Sequence, residues 1–120
     1  MERTYKSWGE KWNLFQNDLC EVSHLKLKPW HRCSWHRHTS KFNKFYVLHG
    51  TLYMKVEDGE CACSAGQIFT TQPGELHEFR TKEKSAEIIE IMYVKYDSHD
   101  IERKLIGGSF RPDYFGANDE

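Results

Sequence analysis

The chain has no apolar run approaching the roughly 20 residues that span a bilayer, and its opening, MERTYKSWGEKW, lacks the apolar stretch of a secretory leader. A membrane-spanning helix is excluded, and a soluble, cytoplasmic protein is the expectation. An excess of either charge is missing too: 17 basic and 18 acidic residues leave a formal net charge of -1, so no broad field draws in nucleic acid or anionic lipid. Helical periodicity is weak, and neither an internal repeat nor a low-complexity block is visible. Cysteines number four, Cys20, Cys33, Cys61 and Cys63. Nothing secretory supports disulfides, and Cys61 and Cys63 stand too close for a zinc-knuckle spacing. Buried or half-buried free thiols are expected.

What the chain does have is period-two alternation. CEVSHLKLKP (20–29), KFYVLHG (44–50), TLYMKVEDGE (51–60), GQIFTTQPG (66–74), LHEFRT (76–81) and AEIIEIMYVKY (86–96) read as short strands rich in β-branched and aromatic residues. Turn signals recur at Pro29, Gly50, Gly59, Gly66 and Pro73-Gly74, a spacing that suits a β-sandwich or barrel rather than βαβ units. Asp58-Gly59 predicts a tight primed hairpin turn, and Gly50 a sheet corner. A short helix is expected over 97–106. The chain divides into a β domain over 1–106 and a tail or docking arm over 107–120, carrying Phe110, Tyr114 and Phe115.

Seven histidines in 120 residues concentrate imidazole chemistry in a small domain. On a strand, residues i and i+2 face the same way, so His36 and His38 present two imidazoles to one space. His77, just after the Pro73-Gly74 turn, heads a later strand and can bring a third. Three neutral imidazoles suit Zn²⁺, Fe²⁺, Ni²⁺ or Mn²⁺, with coordination positions left for water or substrate. His24, His31, His49 and His99 have no partner at metal spacing.

These residues resemble the two motifs of the cupin superfamily. The first, HxH followed by Glu and Gly, appears here as His36, His38, Asn43 and Gly50 with every spacing kept and the Glu replaced. The second appears as Gly66, Gln72-Pro73-Gly74 and His77. The resemblance implies an all-β fold, a single β-barrel of the jelly-roll or double-stranded β-helix type. It extends toward the cupin domain of bifunctional mannose-6-phosphate isomerase/mannose-1-phosphate guanylyltransferase, through KSWGEKWNLF, LKLKP and the closing EIIEIMYVKYDSHDIERK, with Asp100, Ile101 and Arg103 on its Asp-Ile-x-Arg signature. That branch resembles Gln, His, Glu and His at the metal positions where this chain reads His36, His38, Asn43 and His77, so two of the four differ.

Losing the carboxylate at position 43 leaves the full charge of a divalent ion in place, which strengthens it as a Lewis acid. Asn43 either ligates through its carbonyl oxygen or hydrogen-bonds a water or sugar hydroxyl, the second role being favoured. Inward-facing His36, His38 and Asn43 carry Phe45 with them, and His77 carries Phe79. Phe45, Phe79 and Gln72 are then candidate substrate contacts, as is Arg103 as a phosphate clamp. Glu90, between isoleucines, is a candidate general base if it faces inward.

The expected function is a small metal-dependent cupin acting on a sugar or sugar phosphate by isomerisation or epimerisation. A three-histidine non-haem metal dioxygenase and a non-enzymatic cupin that binds a sugar or other small ligand are the alternatives. A homodimer is expected, formed through exposed strand edges.

Overall fold

The computed structural model describes residues 2–94, 104 and 107–109. The expected helix over 97–106 falls outside them except for Lys104, and His99, Arg103, Phe110, Tyr114 and Phe115 lie outside them entirely. The described residues form nine strands and no helix: β1 (Glu2–Lys6), β2 (Gly9–Gln16), β3 (Cys20–Leu27), β4 (Phe42–His49), β5 (Thr51–Val56), β6 (Gly59–Ser64), β7 (Ile68–Thr71), β8 (Glu78–Arg80) and β9 (Ala86–Tyr93). None of them belongs to a helix long and apolar enough to cross a membrane. Six strands form one sheet in the order β1-β2-β3-β9-β4-β7, and three form a second in the order β6-β5-β8. All pairings are antiparallel. The all-β jelly-roll expectation holds.

Alternation decides which side chains meet between the sheets. Leu25 and Leu27 of β3, Phe45 and Val47 of β4, and Ala86 and Ile88 of β9 point inward from the large sheet. Leu52 and Met54 of β5, Cys63 of β6 and Phe79 of β8 answer them from the small one. Each large side chain removed from water in this way contributes about 1.5–3 kcal/mol. Trp8 closes one end of the core, its ring edge-on to Phe79 with centroids 5.2 Å apart.

Three sequence expectations are revised. The alternation pattern singled out no strand before Cys20, yet β1 and β2 form a hairpin whose Lys6 pairs with Gly9. Every residue of β1 is exposed, so no hydrophobic period marks it. The loop between β5 and β6 is not a primed turn: Glu57 and Asp58 occupy it, and Trp30 is the only non-glycine with positive φ among the described residues. Gly59, at φ +146°, already begins β6 and pairs with Val56. Of the four free thiols, Cys63 is buried and Cys20 and Cys33 half-buried as expected, but Cys61 is exposed.

Gly50 makes the corner at which the chain leaves the large sheet for the small one. Its φ is +78°, and a Cβ there would sit 2.3 Å from the Ser85 carbonyl oxygen. Gly50→Ala therefore meets both backbone strain and a backbone clash. A loss of about 2–3 kcal/mol in urea-unfolding free energy is expected. Gly66, at φ +88° with open space around it, should cost less on the same substitution.

Candidate metal centre

The HxH spacing predicts a regular strand, but His36 and His38 do not lie on one. Residues 30–38 instead run as an irregular segment antiparallel to residues 74–82, along the β8 edge of the small sheet. Backbone hydrogen bonds tie Trp30 N to Lys82 O, Thr81 N to His31 O and Cys33 N to Phe79 O. Isolated bridges join Arg32 to Arg80 and His36 to His77. One more residue lies between the bridges on the 30–38 side than on the other, so the segment bulges around Ser34 and Trp35. The bulge breaks the regular strand, yet His36 and His38 still turn inward while Trp35 and Arg37 stay exposed. Trp35 carries the Lys55 ammonium 4.7 Å above its ring.

The three imidazoles converge. Ring centroids lie 4.4 Å apart for His36 and His77, 5.1 Å for His36 and His38, and 5.6 Å for His38 and His77. One nitrogen from each falls within 4.8 Å of the others. Backbone carbonyls set the tautomers: His36 Nδ1 donates to Ser34 O at 2.7 Å and His77 Nδ1 to Glu75 O at 3.0 Å. In both rings the proton sits on Nδ1 and the Nε2 lone pair is free to ligate. His77 is 1% exposed and its Nε2 has no hydrogen-bond partner among the described residues. A buried, unpartnered imidazole nitrogen facing two more imidazoles fits a transition-metal ion.

Electrostatics favour the ligating form. Burial lowers the His77 pKa below its ordinary 6.5, the Glu75 carbonyl opposes that, and His36 adds to it. His38 is lowered by desolvation and then by His36 and His77. Both rings therefore stay neutral to a lower pH than free imidazole would.

Glu90 faces the interior, on the same side of β9 as Ala86 and Ile88, which resolves the ambiguity left by the IIEI sequence. It pairs across the sheet with Ser23 on β3 and Phe45 on β4. Some solvent contact remains, but close surroundings make loss of hydration the dominant influence and raise its pKa above 4.5; the Asn43 hydrogen bond opposes the rise. Asn43 is wholly buried and donates from Nδ2 to Glu90 Oε2 at 2.8 Å. Its amide thus engages a carboxylate of the chain itself, and its Oδ1 is left buried and unpartnered.

The remaining sequence candidates scatter. Phe45 packs edge-on to His77 and Phe79, with centroids 6.0 and 5.9 Å away, and both phenylalanines belong to the core. Gln72 is exposed in the turn before His77, where its backbone N donates to the Glu75 carboxylate at 2.7 Å. Arg103 lies outside the described residues. Two side chains that the sequence reading passed over join the interior: Ser23 at 0% and Thr71 at 2% exposure, both with unpartnered hydroxyls. Their signal was faint, a polar residue at an inward position of an otherwise apolar alternation.

A family model described as a cupin domain matches residues 23–92. No curated protein matches the chain. Among solved structures, KdgF from Halomonas sp. is similar with a TM-score of 0.71 and 13% identity, covering 80% of this chain and 90% of that one. A predicted oxalate decarboxylase from Thermotoga maritima gives 0.69 at 20% identity, covering 78% and 91%. A sugar phosphate isomerase of the cupin superfamily from Silicibacter pomeroyi gives 0.64 at 16% identity, covering 76% and 66%. At these identities the likeness speaks to fold. The family match spans Asn43, Glu90 and all three histidines, and the chain belongs to the cupin family.

Proposed function

We propose that this cupin holds a divalent transition metal, Zn²⁺, Fe²⁺, Ni²⁺ or Mn²⁺, on His36, His38 and His77, and isomerises or epimerises a sugar or sugar phosphate. The observation that carries the reading is the convergence of three imidazoles around the buried, unpartnered Nε2 of His77, beside an interior carboxyl on Glu90. The structure of similar fold from Silicibacter pomeroyi is described as a sugar phosphate isomerase, which supports the reading. When bound, the ion supplies Lewis-acid polarisation of a carbonyl oxygen. Glu90 takes the proton from the hydroxyl-bearing carbon next to the carbonyl and delivers it to the former carbonyl carbon, while the hydroxyl proton passes from its own oxygen to the former carbonyl oxygen, so that there is no net oxidation. Asn43 holds one Glu90 oxygen, leaving the other for the proton. The surrounding sheets limit water at that carboxyl, which moves its pKa toward the working pH. We take the protein as cytoplasmic, in keeping with four cysteines that remain thiols.

Metal analysis tests the first half. Purified protein is expected to bind about one equivalent of Zn²⁺ or Mn²⁺ by calorimetry, and His77→Ala to lose it. Because the His38 and His77 pKa values lie below 6.5, protons compete for those rings only at lower pH. Affinity should accordingly persist at pH 6.5 and fall on further acidification.

Glu90→Gln tests the second half. It keeps an acceptor for Asn43 while removing the base, so turnover should fall by about 10²–10⁴-fold with metal affinity retained. Full turnover in this variant would remove the base assignment. The all-histidine donor set also suits a dioxygenase, and oxygen uptake with a thiol or diketone substrate would favour that reading instead.

The homodimer is proposed through the outer face of the large sheet rather than through a strand edge. Trp12, His24, Ile89, Tyr46 and Ile68 are successive cross-strand partners on β2, β3, β9, β4 and β7, forming one largely apolar row. Six of the nine exposed large hydrophobic residues lie on strands of this sheet. Four strands of eight residues, one of five and one of four cover roughly 650 Å² in projection at about 4.8 Å spacing. That approaches the roughly 800 Å² each partner buries in a stable interface. A second copy offers the same apolar row, which argues for self-association. Light scattering should report a dimer for the unmodified protein and a monomer for Ile89→Lys.

A further inference from the structure

The inner face of the large sheet is split along its strands. At one end it is apolar, with Leu25 and Leu27 on β3, Ala86 and Ile88 on β9, and Val47 on β4. Toward the other end the inward positions turn polar. Ser23 pairs with Glu90 across β3 and β9, and Asn43 pairs with Thr71 across β4 and β7. The 2.8 Å hydrogen bond from Asn43 to Glu90 joins the two pairs. One polar row therefore crosses four strands, next to Phe45 and, through it, His77.

Packing alone does not account for this row. Ser23 and Asn43 are 0% exposed and Thr71 2%. Ser23 Oγ, Asn43 Oδ1 and Thr71 Oγ1 all lack hydrogen-bond partners among the described residues. Each such group costs about 1–3 kcal/mol unless something meets it. Three on one row, beside the histidines, leave hydrogen-bonding capacity that the described residues do not fill. Its chemistry is selective: two hydroxyls, one amide oxygen and one carboxyl, with no Lys or Arg in the row. The Lys11 ammonium on β2 is engaged 3.6 Å from the Glu21 carboxylate. A phosphate or carboxylate would meet Glu90 with no cation in the row to balance it, whereas neutral hydroxyl groups can both donate to and accept from these atoms.

We propose that Ser23, Glu90, Asn43 and Thr71 form a subsite for the neutral hydroxyl face of a sugar or polyol, with any anionic group of the substrate held away from this row. The inference rests on the sugar-isomerase reading and narrows it.

The test is calorimetry on metal-loaded protein with D-mannose, D-mannose 6-phosphate and D-glucuronate. The neutral sugar should bind, and glucuronate, which places a carboxylate on the ring itself, should bind at least tenfold more weakly. Thr71→Val and Ser23→Ala, both close in shape to the originals, should each weaken mannose binding at least fivefold with metal affinity unchanged. Thr71→Ser, which restores the hydroxyl, should recover it. Equal mannose affinity in the two deletion variants, with a lowered melting temperature, would show that the hydroxyls serve ordered water and overturn the subsite. Glucuronate binding as tightly as mannose would overturn its selectivity. Sugar binding that depends on the row but is never followed by isomerisation would sink the isomerase reading and leave the subsite standing. Failure of all three sugars to bind would remove both.

Discussion

Two backbone hydrogen bonds exchanged between His36 and His77, at 3.1 and 2.8 Å, are the constraint on which the candidate centre depends. The 30–38 segment has no place in a regular strand. It acquires its position by satisfying its amides and carbonyls against residues 74–82, because buried backbone groups left unpaired are costly. That second segment is itself anchored through β8, which pairs with β5 from Tyr53 to Lys55. The histidines therefore inherit their geometry from the small sheet, while Asn43 and Glu90 come from the large one. Cys33 adds to the tie, its sulfur accepting from Phe79 N at 3.2 Å. Burial pushes its thiol pKa up to about 12, so it stays protonated and serves as packing rather than as a nucleophile.

The division of the interior follows from the same arrangement. A small domain needs one continuous apolar core, and the end closed by Trp8 supplies it, from Leu27 and Ala86 to Met54 and Phe79. The histidine end gives up that stabilisation, since Ser23, Asn43, Thr71 and His77 are buried with unpartnered atoms. Departures from good packing gathered on one side of a well-packed core are the mark of a site rather than of poor folding. The apolar half keeps the strands in register, and that register fixes which polar side chains face one another.

Much of this was legible in the sequence because period two is unambiguous where one face is buried. The alternation placed the strands from β3 to β9 apart from β6, of which only the hairpin tip at 58–60 was legible, and the HxH spacing with His77 after Pro73-Gly74 pointed to the histidine trio that the fold brings together. The same rule failed at β1, where both faces are exposed and no hydrophobic period exists to read. It was incomplete at Glu90, because a carboxylate flanked by isoleucines is compatible with either face until the partners Ser23 and Phe45 are known. It also hid the bulge at Ser34 and Trp35. Spacing in HxH suggests a strand, but the offset that seats His36 opposite His77 belongs to the pairing between two segments and is written in neither alone.

The asparagine at position 43 is explained by the residue it touches. Glu90 Oε2 lies 2.8 Å from the Asn43 side chain. A glutamate or aspartate reaching the same point would set two carboxylates in contact inside the sheets, where they could coexist only by sharing a proton. An amide can donate to Glu90, and with that donor committed its oxygen remains free on the opposite side. Asn43 and Glu90 thus form a single feature, in which the acidic group sits on β9 rather than among the candidate ligands. The direct donors that remain are neutral imidazoles and, at most, an amide oxygen. An ion held by such a set would keep its charge uncompensated by its ligands, which leaves the Glu90 carboxyl free for the proton transfer proposed for it.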